Sequence, residues 1–280
     1  MDERVAVIGA GAMGGAILQG MLARGFPPAD LQVIEIDEQR RKFFQDRGVR
    51  ADREVGPELG GSAVVIIAVK PGQVCSLLKR LSGHLSEKNL VLSVAAGVTM
   101  GFMETCLDKP LPLARTMPNI AARVGQAAVG MSFNPRVSPA QVDIARRVME
   151  SVGLVFPVEE RLLDTVTGLS GSGPAYVFML VEALADAGVL HGLPRDRALG
   201  LAVQTVYGAA ELLRSGEEHP ALAREAVTSP GGTTARGLQQ LEERGFRNAL
   251  IRAVGAAVER AREISASMER GDREDEQGGR

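Results

Sequence analysis

Val5-Ala6-Val7-Ile8-Gly9-Ala10-Gly11-Ala12-Met13-Gly14 is the stretch whose reading decides the fold. Its first four residues are small or β-branched and apolar, the pattern of a strand buried on both faces of a parallel sheet. Glycines follow in the spacing G-x-G-x-x-G, and Gly15 to Leu22 then reads as a helix. Alone the glycine pattern is weak; between a strand and a helix it is a dinucleotide fingerprint. Gly9 makes the turn, Gly11 admits a pyrophosphate beside Ala12 and Met13, and Gly14 lets the helix pack on the strand. A tight strand-to-helix turn with no ligand is the competing reading.

Outward from this stretch the pattern repeats. Val33 to Asp37 is a second strand, and Asp37 lies 23 residues beyond Gly14, where such folds meet the adenosine ribose. A carboxylate there accepts from ribose hydroxyls and repels a 2′-phosphate, which favours NADH over NADPH. Arg40 and Arg41 follow on the next helix and could hold that phosphate instead. Ala63 to Val69 is a central strand, and Ala68, Val69, Lys70 and Pro71 lead from it into a helix reaching Leu81. Lys70 therefore sits at a strand's carboxyl end, where open α/β sheets bind ligands. Leu90 to Val94 ends in Ala95-Ala96-Gly97, small residues expected to leave room for a nicotinamide. Leu113 to Asn119 is a strand running into a loop, and Gln126 to Phe133 is another. Ser138-Pro139-Ala140-Gln141 is a capping box opening a helix, and Gly153 to Val158 closes the sheet. Residues 1–158 thus read as an α/β, Rossmann-type dinucleotide-binding domain.

Composition narrows the alternatives. The 280 residues have room for two modest domains. A net charge of −2 and a pI near 6.0 give no electrostatic footprint for nucleic acid or an anionic membrane. Two cysteines, Cys75 and Cys106, and three scattered histidines show no metal-type spacing, so no metal site is expected. A disulfide is not expected either, and a reduced, cytoplasmic setting fits. The early strand leaves no room for a signal peptide. Thr165 to Val181, the most apolar long run, reads as too short and too broken by Gly, Ser and Pro to span a bilayer.

From Glu159 strands disappear, and residues 159–268 read as all-α. Gly168 to Pro174 is a small-residue break before a helix over 175–189, and a second helix spans 194–214. That second helix is apolar nearly all round and must be buried on every side. Some 110 residues cannot bury it alone, which predicts dimerisation through these helices. Further on, Val227-Thr228-Ser229-Pro230-Gly231-Gly232-Thr233-Thr234 precedes a helix over 233–243. Gly231 and Gly232 let the backbone approach a ligand, and Thr233 and Thr234 set hydroxyls beside unpaired helix N–H groups. That makes either a site for a small anion or an ordinary helix cap. A helix over 246–268 follows, and residues 269–280 read as a disordered tail.

Taken together, the fingerprint, Val69-Lys70-Pro71, Arg115-Thr116-Met117-Pro118-Asn119, Gly171-Ser172-Gly173-Pro174-Ala175-Tyr176 and Thr228 to Thr234 closely resemble pyrroline-5-carboxylate reductase. The resemblance runs from Val5 to about Met268. It implies a Rossmann-type domain followed by an all-α dimerisation domain, in homodimers that assemble further into rings. It implies reduction of 1-pyrroline-5-carboxylate to L-proline by hydride from NADPH or NADH, the last step of proline biosynthesis. Ser229, Gly231, Gly232, Thr233 and Thr234 would hold the substrate carboxylate, with Thr234 and Thr167 near the ring nitrogen. Lys70 and Glu217 match positions at or near the family's active site, and Asn119 borders its cofactor end. One departure is Ile120-Ala121, where the family commonly carries Thr-Pro. Two rivals fit less well. A β-hydroxyacid dehydrogenase uses a lysine from its helical half, whereas all five lysines here lie in the first 109 residues. A cofactor-sensing protein without turnover has no use for a second anion site.

Overall fold

The computed structural model describes residues 4–216 and 218–277. By packing, the chain divides into two compact units, Met1–Ser172 with Ala257–Arg280, and Gly173–Ala256.

The first unit is built on eight strands. In chain order these are β1 (Val5–Ile8), β2 (Leu31–Ile34), β3 (Arg50–Asp52), β4 (Val64–Ile67), β5 (Leu90–Ser93), β6 (Leu113–Met117), β7 (Ala127–Phe133) and β8 (Gly153–Pro157). They form one sheet of order β3-β2-β1-β4-β5-β6-β7-β8, parallel through β6. β7 reverses direction against β6, and β8 runs parallel to β7. Alternate residues of each strand feed opposite layers. Val5, Val7, Val64 and Ile66 join α1 (Ala12–Ala23) and α5 (Pro139–Glu150) in one apolar cluster. Ala6, Ile8, Val65 and Ile67 join α3 (Val74–Leu81) and α4 (Met100–Thr105) in the other. This is why the strand sequences carry no polar alternation: both faces are covered. The capping box at Ser138 forms as expected, with the Gln141 side chain returning to the Ser138 amide.

Boundaries differ from the sequence expectation in instructive ways. β2 ends at Ile34, and Asp37 is the N-cap of α2 (Glu38–Gln45). β3 and α4, both short, were not foreseen. Cys75 and Cys106 are disulfide-bonded, with Cα atoms 5.2 Å apart, contrary to expectation. They lie 31 residues apart but end up in one cluster, because α3 and α4 pack on the same face of the sheet.

After β8 the chain enters α6 (Leu163–Val166) and a π-helical turn, Thr167–Gly171. The glycines and serines expected to break the run instead widen one turn, and the helix continues. Glu160–Leu190 is in fact long and apolar enough, by length and composition, to cross a membrane, with an 18-residue window of mean hydropathy 1.4.

The second unit contains α7 (Gly173–Leu190), α8 (Arg195–Ser215), α9 (Pro220–Ala226) and α10 (Thr233–Glu243). α7 and α8 pack side by side through Ala185, Ala198 and Ala202. Gly188 lets them approach, since a Cβ there would lie 3.1 Å from that of Ala198. Outward they expose Phe178, Met179, Leu201, Tyr207 and Leu212. The final helix, α11 (Phe246–Gln277), continues as helix through most of the stretch read as a disordered tail.

Candidate active site

The Gly-rich turn does what its spacing requires. Gly9 adopts φ +93°, and a Cβ there would sit 2.7 Å from the Ala68 carbonyl oxygen. At Gly14 a Cβ would fall 1.9 Å from the Gly9 carbonyl oxygen. Gly11 differs: a Cβ would meet nothing closer than Arg40 Nη1, at 4.0 Å. Gly11 therefore keeps open the space in front of α1, and as N-cap it gives that helix no side-chain cap. The first turn of α1 also carries no acid. Unpaired N–H groups facing open space form an anion site, so the turn fits a dinucleotide pyrophosphate.

Beside it lies a cavity of about 510 Å³ at the carboxyl ends of β1, β2 and β4. Gly9, Gly11, Ala68, Val69 and Lys70 line it, together with Arg40, Arg53 and Arg80. Glu35, not singled out from sequence, has the buried carboxylate at the end of β2. It accepts from the Ala10 amide at 2.7 Å and the Asp37 amide at 3.0 Å. Arg40 Nη1 lies 3.6 Å from it. The Asp37 carboxylate in turn accepts from the Arg40 amide at 3.0 Å, capping α2. Both acids are thus engaged by backbone, while guanidinium groups face the cavity. The signal for Glu35 was there to read, two residues before Asp37 at the strand's end.

Ala95 is buried, its amide donating to Ser93 Oγ at 3.2 Å. Gly97 does not leave room for a ligand: Ile264 of α11 fills it, with Cγ2 2.7 Å from where a Cβ would be. Asn119 accepts from the Ala121 amide at 3.2 Å and donates to the Ser170 carbonyl at 3.0 Å. It thereby ties the loop after β6 to the π-helical turn. Thr167 opens that turn, its hydroxyl donating to the Leu163 carbonyl at 2.9 Å. Thr167, Asn119, Lys70 and the Gly-rich turn all belong to the first unit.

Ser229 to Thr234 belong to the second unit. Gly231 takes φ +70°, and the Gly232 amide donates to the Ser229 carbonyl at 3.0 Å. A Cβ on Gly232 would lie 2.3 Å from Ser229 Oγ. The N-cap of α10 is Gly232, which offers no side chain, and the first turn holds no acid. The threonine hydroxyls stand at the first two helical positions and do not cap the helix. Of the two readings open from sequence, the geometry favours an anion site over an ordinary cap. Glu217 lies outside the described residues.

A Gly-rich turn of this geometry, a six-strand parallel order and an uncapped helix facing a cationic cavity define a dinucleotide-dependent oxidoreductase. Two family models match the chain: "Pyrroline-5-carboxylate reductase dimerisation" over residues 160–264, and "NADP oxidoreductase coenzyme F420-dependent" over residues 4–97. The chain is 42% identical over 269 residues to the pyrroline-5-carboxylate reductase of Synechocystis, covering 94% of this chain and 99% of that protein. It is also similar to a solved pyrroline-5-carboxylate reductase from Coxiella burnetii: 37% identity, TM-score 0.91, 95% and 99% coverage of this chain and that one. The Plasmodium falciparum pyrroline carboxylate reductase, solved with NADP bound, matches at 26% identity and TM-score 0.81, covering 94% and 98%. The chain belongs to the pyrroline-5-carboxylate reductase family.

Proposed function

We propose that Ser229, Gly231, Gly232, Thr233 and Thr234 hold the substrate carboxylate, and that Thr234 and Thr167 orient the ring nitrogen. As a member of its family the protein is an NAD(P)H-dependent reductase of 1-pyrroline-5-carboxylate, forming L-proline in the last step of proline biosynthesis. The observation that carries the site reading is the start of α10, where a side-chain-free N-cap leaves helix amides for an anion. The bound nicotinamide supplies the hydride. The protein's own part is to fix the ring, since a protonated imine is already electrophilic. No carboxylate pair is required for acid–base work. Lys70, exposed at the end of β4, adds positive charge beside the cofactor, and Glu217 acts near the same site.

The cofactor reading from Asp37 changes with the geometry on the page. With Asp37 and Glu35 both engaged by amides, Arg40, Arg53 and Arg80 set the charge of the cavity. NADPH is then the better substrate and NADH the slower one. The apolar faces of α7 and α8 support a cytoplasmic homodimer, assembling further into rings, over a membrane span.

The test is loss of reduced-nicotinamide absorbance with 1-pyrroline-5-carboxylate, using NADPH and NADH in parallel, with L-proline identified as product. Arg40→Ala should lower the NADPH-to-NADH ratio of kcat/KM by about tenfold, the worth of one charge-assisted phosphate contact. An unchanged ratio would return the specificity to Asp37.

A further inference from the structure

Arg115 was quoted in the sequence only as part of a motif, with no role. It stands on β6 opposite Ser93, the last residue of β5, and is 4% exposed. Its Nη2 donates to Asp164 Oδ1 at 2.8 Å, and its Nη1 lies 3.8 Å from Glu160 Oε1. Each carboxylate has a second partner. Glu160 Oε1 accepts from the Met100 amide at 2.6 Å, holding the start of α4. Asp164 Oδ1 accepts from Ser265 Oγ of α11 at 3.2 Å.

One guanidinium thus gathers three elements at the carboxyl edge of the sheet: the loop before Met100, the helix leading into the π-helical turn, and α11. The same strand reinforces the arrangement. A Cβ on Gly171 would meet Met117 Cε at 2.8 Å, and Asn119 donates to Ser170. Only a planar fork can hold Asp164 and approach Glu160 from a single buried position; a lysine ammonium is a point charge. Without it, two partly covered carboxylates would face each other unpaired.

We propose that Arg115 is a positioning residue of the reaction: through Asp164 and Glu160 it locks the turn bearing Thr167 to the edge of the sheet where the cofactor binds. It touches neither substrate nor cofactor in this role. The inference rests on the reductase reading and on Thr167 lying at the reacting ring.

The experiment compares wild type, Arg115→Lys, Asp164→Asn and Val148→Ala for kcat, KM, NADPH affinity by fluorescence, and Tm. Val148 is buried on α5, in the layer on the other face of the sheet, and reports what lost stability alone does. Arg115→Lys should lower kcat about 10- to 100-fold, as misplacement of a reacting group does, with NADPH affinity within about twofold of wild type. Asp164→Asn should do the same, and the double variant should be no worse than either single one. Val148→Ala should lower Tm and leave kcat unchanged. Should Arg115→Lys not fold, Asp164→Asn carries the same comparison. A lowered Tm with unchanged kcat in Arg115→Lys or Asp164→Asn overturns the inference and leaves the reductase reading standing. Absence of turnover in wild type overturns that reading, and the inference with it.

Discussion

The two units of this chain solve the problem of apolar surface in opposite ways. The sheet of the first unit is sandwiched between two apolar layers, and side chains such as Ile17, Leu78 and Ile66 are fully buried within one chain. In the second unit, Ala185, Ala198 and Ala202 are the only fully buried side chains among the described residues, while Phe178, Leu201 and Tyr207 are each more than half exposed. A domain with such a small core cannot offset its own ordering cost. The first unit can therefore fold on its own core, whereas the second requires another surface. Its match to a dimerisation family names the kind of surface.

The largest effect is expected inside the first unit. Gly14→Val places a side chain where a Cβ alone would lie 1.9 Å from the Gly9 carbonyl. NADPH affinity, followed by fluorescence titration, should fall by more than about a hundredfold, the scale of a forced backbone clash in a packed region. Retained affinity would mean the turn is not the cofactor site. Next comes the second unit. Phe178→Glu with Leu201→Glu should give monomers by sedimentation velocity and abolish turnover, while NADPH affinity stays within about twofold. A dimer surviving both charges would show that these faces are covered by something other than a second copy.

A subtler contrast lies within the second unit. Gly232→Val should raise KM for 1-pyrroline-5-carboxylate by about tenfold or more by closing the start of α10, with cofactor affinity unchanged. Equal changes in both would remove the division of labour between the units. The smallest effect is expected for Cys75→Ser, which cuts the bridge between α3 and α4 but leaves their apolar contacts. It should cost about 2 kcal/mol and lower Tm by a few degrees, measured by calorimetry with no reductant present. A Tm unaffected in the variant would mean the two thiols are not joined in the purified protein.

What was legible in the sequence follows the same division. The strands of the first unit were readable because burial on both faces writes itself as unbroken apolar runs, and the glycine spacing fixed where the cofactor turn must be. The all-round apolar α8 announced its need for a partner. Three things were hidden. The Cys75–Cys106 pair depends on which face of the sheet two helices choose, which spacing does not encode. Glu35 and Asp37 look alike in sequence, yet one carboxylate turns inward to Ala10 and the other caps α2. Gly97 looked like room for a ring, but α11 returns from more than 160 residues away to fill it with Ile264.

The π-helical turn at Thr167–Gly171 has a consequence for how this region can vary. A wide turn is one residue out of phase with the α-helix on either side. Leu163 and Val166 ahead of it press on Gly130 of β7, while Phe178 and Met179 beyond it face outward. Deleting one residue from the turn would restore phase and swivel every later side chain of α7 by about 100° around the helix axis. The length of this turn is therefore a dial, and insertions or deletions of a single residue there should be the least tolerated in the chain.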